Sequence, residues 1–287
     1  MDALEQQELL LRSQDSRQLS SKQDTYYGSV EPGIGGDDRE KLSMVRLTML
    51  NMHAFNYGLF YASVGVILLP EEAILLFPQQ HALYLAVMLG AAGLSQLVSP
   101  FVGYMSDRES NPLGRRLPYI VGGNAVLLVM IGALYMARTL RMGHAYLVLL
   151  LVAIIALNVA YTGFTGLVSD MVAPEQMGTC SGLMGGLTAA GAVLGLVCMG
   201  FVIPIKAAYG MYAVALVLST PLTWYAAKDK PQDSHARRPF DWAEVARSYY
   251  ISPESHGDFF WVFVSRTFYY MAVSVQIYIL YYLRDII

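Results

Sequence analysis

Between Gly103 and Ile120 the chain reads GYMSDRESNPLGRRLPYI, a turn that packs Asp107, Arg108, Arg115 and Arg116 between two long apolar segments. Charge beside hydrocarbon is costly, so such a turn belongs at a membrane surface and implies a purpose. The segments around it set the class. Hydrophobic residues make up 55% of the 287 and charged residues only 14%, the composition of an integral membrane protein. About twenty apolar residues at 1.5 Å rise cross the roughly 30 Å hydrocarbon layer. Seven stretches reach that length: 46–69, 81–105, 118–138, 145–169, 179–203, 208–228 and 259–283. Each is continuously apolar rather than alternating, which predicts an all-α polytopic protein and excludes a barrel.

Residues 1–43 read differently. They are polar, rich in Gln, Ser and Asp, and contain Pro32, Gly33, Gly35 and Gly36 near their end, so a disordered tail is expected. No removable signal peptide is legible there, and the first span serves as its own insertion signal. Cys180 and Cys198 share the fifth span, about 27 Å apart on a helix, too far to bridge. Lys and Arg collect before the first span (Arg39, Lys41, Arg46), between the second and third (Arg108, Arg115, Arg116) and between the sixth and seventh (Lys228, Lys230, Arg237, Arg238, Arg247). The opposing connections carry only Arg138, Arg141 and Lys206. That bias places the amino terminus in the cytoplasm and, with seven spans, the carboxyl end outside.

Seven spans also invite a receptor or a retinal protein. A receptor carries its amino terminus outside, against the charge bias, and a retinal protein needs a lysine in the last span, where this chain has Arg266. Soluble enzymology finds no support, since there is no phosphate loop after a strand, no metal-ligand cluster and no nucleophile spaced to a base. No cofactor is expected. No basic aromatic patch points to nucleic acid.

The pattern Gly103-x-x-x-Asp107-Arg108 followed by Gly114-Arg115-Arg116 resembles the signature between the second and third helices of the major facilitator superfamily of transporters. Most members place one residue between the first arginine and the second glycine, whereas here Glu109 to Leu113 intervene. That longer form, ending in GRRLPYI, resembles the branch of plant sucrose transporters and the glycoside, pentoside and hexuronide cation symporters. SDMVAPEQMGTCSG at the end of the fourth span and DFFWVFVSRTFYYM at the start of the seventh are similar to the same branch, and the resemblance covers residues 45 to 287. It implies a six-helix bundle of two inverted three-helix repeats over 44–228, a cytoplasmic linker over 229–257, and at 258–287 the first helix of a second, incomplete bundle. It further implies transport of a small polar solute, a sugar or glycoside, by alternating access, with proton-coupled symport and facilitated diffusion as the two alternatives. The sucrose members carry an arginine near Phe164 and Thr165 that is absent here.

The turn's residue types have physical reasons. Gly103 would let a neighbouring helix approach, Gly114 would let the backbone reverse, and Pro118 suits a first helical turn. Asp107 would pair with an arginine or a helix amino terminus, and Asp170 is a second acid for Arg115 or Arg116. Together they are expected to form a state-dependent latch, the alternative being a solvated positive-inside loop. In the family the first, fourth and seventh helices line the substrate cavity. Their polar stripes here are His53, Asn56, Tyr57 and Tyr61, then Asn158, Tyr161, Thr162 and Thr165, then Arg266, Tyr269, Tyr270 and Ser274. Such residues turn from lipid towards protein or water, although tyrosine anchors and simple interhelical bonds are alternatives.

Coupling would need an ionisable group inside the membrane, for which only His53 and Arg266 offer themselves, Glu71 and Glu72 lying at the outer end of the first span. Small residues stack on the fifth span in two rows, Gly182, Gly186 and Ala190, and Gly191 and Gly195, for close helix packing. Asp241 and Glu244 have capping-box spacing for a short linker helix. Glu5-Gln6-Gln7-Glu8-Leu9-Leu10 fits an acidic dileucine sorting signal, so the plasma membrane and a vacuolar or endosomal membrane both stay open. A complete family member has twelve helices. The chain is therefore expected to be a fragment, with a half-size partner chain or a non-transporting sensor or scaffold as alternatives.

Overall fold

A computed structural model of the chain describes residues 39–108, 111, 113–227, 240–250, 253, 257–274 and 278. The expected tail to residue 38, the linker from 228 to 239, most of the seventh span beyond Ser274 and the dileucine pattern lie outside them. Among the described residues the structure is helical with no strand. Among the described residues six helices are long and apolar enough to cross a membrane: α1 (Met44–Leu76), α2 (His81–Asp107), α3 (Leu117–Thr139), α4 (Gly143–Met171), α5 (Pro174–Val202) and α6 (Ile205–Ala227). A short helix α7 (Trp242–Ser248) and α8 (Gly257–Ser274) follow. α8 carries the start of the seventh apolar stretch and is exposed along nearly all its described length.

Prolines shape the long helices. Pro70 cannot donate to the carbonyl one turn back, and the strain is taken up just before it by a π-turn over Val64–Leu68. The extra residue carries the chain on, so α1 runs seven residues beyond the expected end at 69 and draws Glu72 inside. In α2 the helix loosens at Gln96 and Leu97, where Pro100 has no N–H to give and the Gln96 carbonyl accepts from the Ser99 amide at 3.0 Å instead.

Lipid supplies no hydrophobic drive for helix association, so close approach and polar bonds between helices must hold the bundle. α1 meets α5 where a Cβ on Gly58 would overlap the Thr188 carbonyl and one on Gly191 the Phe55 carbonyl. α3 meets α4 at Gly123, which sits against Ala156 and Ala160. α2 packs on α4, and α6 packs on both α1 and α3. The pairing is reciprocal: the first helix of each half meets the second helix of the other, as two inverted three-helix repeats require. Of the two small-residue rows on α5, Gly191 and Gly195 make the α1 contact, while Gly182 and Gly186 have open space beside them. Two apolar clusters fill the bundle. One, around Leu47, Phe164 and Cys180, lies at the end that carries the charged turn, and the other, around Phe60, Leu85 and Tyr146, lies towards the opposite end. Val129, Val148, Val193 and Leu218 point outward, the pattern of a lipid-facing surface.

Candidate functional site

The charged turn folds into one connected ion network. Gly114 takes φ +90°, a left-handed conformation that side chains resist, and this reverses the chain so that Arg115 and Arg116 both face α4. Arg115 grips Asp170 bidentately, Nε to Oδ2 at 3.0 Å and Nη2 to Oδ1 at 2.5 Å. Arg116 donates from Nε to the same Asp170 Oδ2 at 3.1 Å, from Nη2 to Asp107 Oδ1 at 2.5 Å, and from Nη1 to the Ser106 hydroxyl. The Asp170 bond raises the Arg115 guanidinium further above its ordinary range, against the opposing effect of burial. Gly166 makes room for the Arg116 head, which a Cβ there would strike at 2.7 Å. The network ties the end of α2, the start of α3 and the end of α4.

Arg108 reaches towards α7. Its guanidinium lies over the Tyr104 ring, 4.1 Å from the centroid, and pairs with Glu244 of α7. Asp241 caps α7 through the Ala243 amide at 2.8 Å, as the spacing predicts, but Glu244 reaches Arg108 instead of closing a capping box. Tyr104 also bonds the Asp241 backbone, and the Tyr249 hydroxyl donates to the Leu97 carbonyl at 2.6 Å, so α7 lies strapped along α2. Gly103 does not match its expected role: a Cβ there would meet nothing within 4 Å.

The polar stripe of α1 divides between two neighbours. Asn56 and Tyr61 are five residues apart, roughly 140° around a helix, too wide an arc to face one cavity. Asn56 is buried against α6, donating to the Ala215 carbonyl at 3.3 Å and to the Ser219 hydroxyl, so it acts as an interhelical tie. His53 is buried beside the Phe164 ring at 5.3 Å, and neither ring nitrogen has a hydrogen-bond partner. Tyr57 and Tyr61 turn the other way. Tyr57 stacks on Tyr161 of α4 at 3.9 Å and on Tyr61 at 5.8 Å, and Tyr270 of α8 is close enough to interact electrostatically with all three. On α4, Asn158 is buried and donates to the Ser95 hydroxyl at 2.8 Å, another interhelical tie rather than a cavity group. Thr162 and Thr165 bond carbonyls of their own helix. Arg266 donates to the Tyr270 hydroxyl, one turn along α8, at 3.4 Å, and Tyr269 packs edge-on to the Tyr270 ring. The structure thus brings Tyr57, Tyr61, Tyr161 and Tyr270 together and separates them from His53, Asn56 and Asn158.

A profile of the Major Facilitator Superfamily matches residues 53–285. The chain belongs to the Major Facilitator Superfamily. It is an integral multi-pass membrane protein of a family that moves small solutes across membranes. No curated protein matches the sequence significantly.

One group in this superfamily member escaped the sequence reading. Glu72, expected at the membrane surface, is completely buried and paired with Arg138 of α3 at 2.5 Å. The signal was present in the apolar run AILLF that resumes after Glu72, which extends the helix past the acid. Cys180, too far along its helix from Cys198 to bridge, receives a bond from the Asn51 amide at 3.2 Å and helps seat α1 on α5.

Proposed function

We propose that this protein carries a sugar or glycoside across its membrane by alternating access, in the manner of the sugar-symporter branch of its superfamily. The observation that carries the reading is the Arg115–Asp170–Arg116–Asp107 network, an assembly of opposed charges at helix ends that one conformation makes and another breaks. In this reading residues 44–228 form the first bundle, 229–257 a cytoplasmic linker that begins to dock through α7, and 258–287 the start of a second bundle. The amino terminus lies in the cytoplasm, which puts the latch on the cytoplasmic face.

The tyrosine cluster supports the substrate class. A sugar presents apolar C–H faces and a rim of hydroxyls, and it is suited by stacked rings whose phenol groups supply donors and acceptors. The stacked Tyr57, Tyr61 and Tyr161 offer both, and Arg266, held by Tyr270, adds a forked donor for ring hydroxyls. The five-residue spacer Glu109 to Leu113, in place of one residue, favours the same branch. The test is uptake of radiolabelled sucrose and methyl glucosides by vesicles holding the purified protein, with and without an imposed pH gradient. Saturable uptake of one of them supports the reading. Equal leakage with and without protein overturns it.

A further inference from the structure

The bundle buries a second charge cluster at the end opposite the latch. Glu72 of α1 is 0% exposed, and Arg138 in the last turn of α3 donates from Nε to its Oε1. Oε2 makes no hydrogen bond of ordinary geometry, although Tyr209 of α6 lies alongside. The Tyr209 hydroxyl is instead bonded at 2.9 Å to that of Tyr146 in the first turn of α4. Four helices, two from each inverted repeat, therefore meet on one carboxyl group. The other titratable groups nearby are Glu71 on α1, Tyr212 of α6, bonded to the Ser63 hydroxyl at 2.7 Å, and Tyr84 of α2 with His144 of α4, which pack on Phe77 at 3.6 Å and 5.7 Å.

An ion pair whose only role was to brace helices would have both carboxylate oxygens filled, because an unpartnered buried charge is expensive. Here one oxygen is unfilled, and protonation relieves that cost. The neutral acid becomes a donor and can bond the tyrosine oxygen beside it. Arg138 then loses its counter-ion but not its welcome, being 21% exposed and placed at a helix carboxyl end that favours cations. The cluster thus has two satisfied arrangements that differ by one proton.

We propose that Glu72 is the proton-binding group of the transport cycle, taking a proton onto Oε2 from water on one side of the membrane as Arg138 swings away and releasing it to water on the other side as the pair re-forms. No bond other than O–H is made or broken, and the proton is the coupling ion itself. The inference rests on the transport reading above and assigns the coupling to a group far from the latch and the tyrosine cluster.

Two measurements separate the inference from that reading. The first needs no substrate: pH-difference infrared spectra of the whole protein in lipid. A protonated-carboxyl C=O band that titrates in the wild type and is absent from Glu72→Gln is expected, with Glu72→Asp restoring a shifted band. The same titrating bands in wild type and Glu72→Gln would overturn the proposal. The second is accumulation of radiolabelled methyl glucoside in vesicles. A one-unit pH gradient at one proton per solute sustains tenfold accumulation. Glu72→Gln should lose that tenfold accumulation while keeping equilibrium exchange, whereas retained accumulation overturns the proposal. Absence of any uptake by the wild type would count against the transport reading instead, and the infrared result would still decide the proton site.

Discussion

Replacing Asp170 by Asn removes the acid that both latch arginines share. Asp170 accepts three charged bonds, at 3.0, 2.5 and 3.1 Å, and its side chain is only 16% exposed. A hydrogen bond to a charged partner contributes about 1.5–3 kcal/mol, and stripping one member from a buried pair costs about 3–5 kcal/mol. Asn keeps one acceptor, and Arg116 keeps Asp107 and Ser106, so the loss falls at about 2–4 kcal/mol. That corresponds to roughly a 30- to 700-fold fall in the population of the latched conformation relative to its alternative. The assay is native-state hydrogen exchange of backbone amides in Arg108 to Ile120, in lipid, with uptake rates measured on the same preparation. Exchange there should accelerate by about 30-fold or more, with little change in the middle of α1 or α5, and uptake should slow several-fold. A double-mutant cycle with Arg115→Gln should show coupling of at least about 1 kcal/mol. Exchange within about threefold of wild type, or strict additivity in the cycle, would refute the latch.

Asp107→Asn should act in the same direction but weakly, by about 0.5–1 kcal/mol, because its side chain is 56% exposed and surface pairs contribute little; exchange of the same amides checks the ranking. Gly58→Val should force α1 from α5, since the added carbons meet the Thr188 backbone, and lower stability by about 1–3 kcal/mol in a thermal melt. Glu244→Gln should free α7 from Arg108 and raise proteolysis or exchange across Trp242–Ser248 while leaving the six-helix bundle's melt within about 0.5 kcal/mol of wild type.

Much of the bundle is legible in the chain because hydrocarbon thickness sets a length that apolar runs either reach or miss. Expected spans 2, 3, 4 and 6 end within three residues of the observed helices. The partnership of Asp170 with Arg115 and Arg116, more than fifty residues apart, was also foreseeable. The acid and the two arginines had to lie at the same membrane face, where few partners compete. The failures share one cause, which is that a stripe's direction depends on helix phase. The π-turn at Val64–Leu68 rotates all that follows it, so Glu72 could not be placed from an ideal helix. Asn56 and Asn158 look like cavity groups to a polarity scan, yet their amides are taken by Ser219 and Ser95 on helices whose contact no local pattern announces. Gly103 shows the converse, a motif glycine with open space beside it.

The central claim, carriage of a sugar or glycoside by alternating access, is tested most directly by counterflow. Vesicles holding the purified protein are loaded with unlabelled methyl glucoside or sucrose and diluted into a trace of the labelled compound. The account predicts a transient internal overshoot of label for at least one of these solutes, because a carrier returns occupied. Label that only rises to equilibrium, at the rate seen in protein-free vesicles, would contradict it.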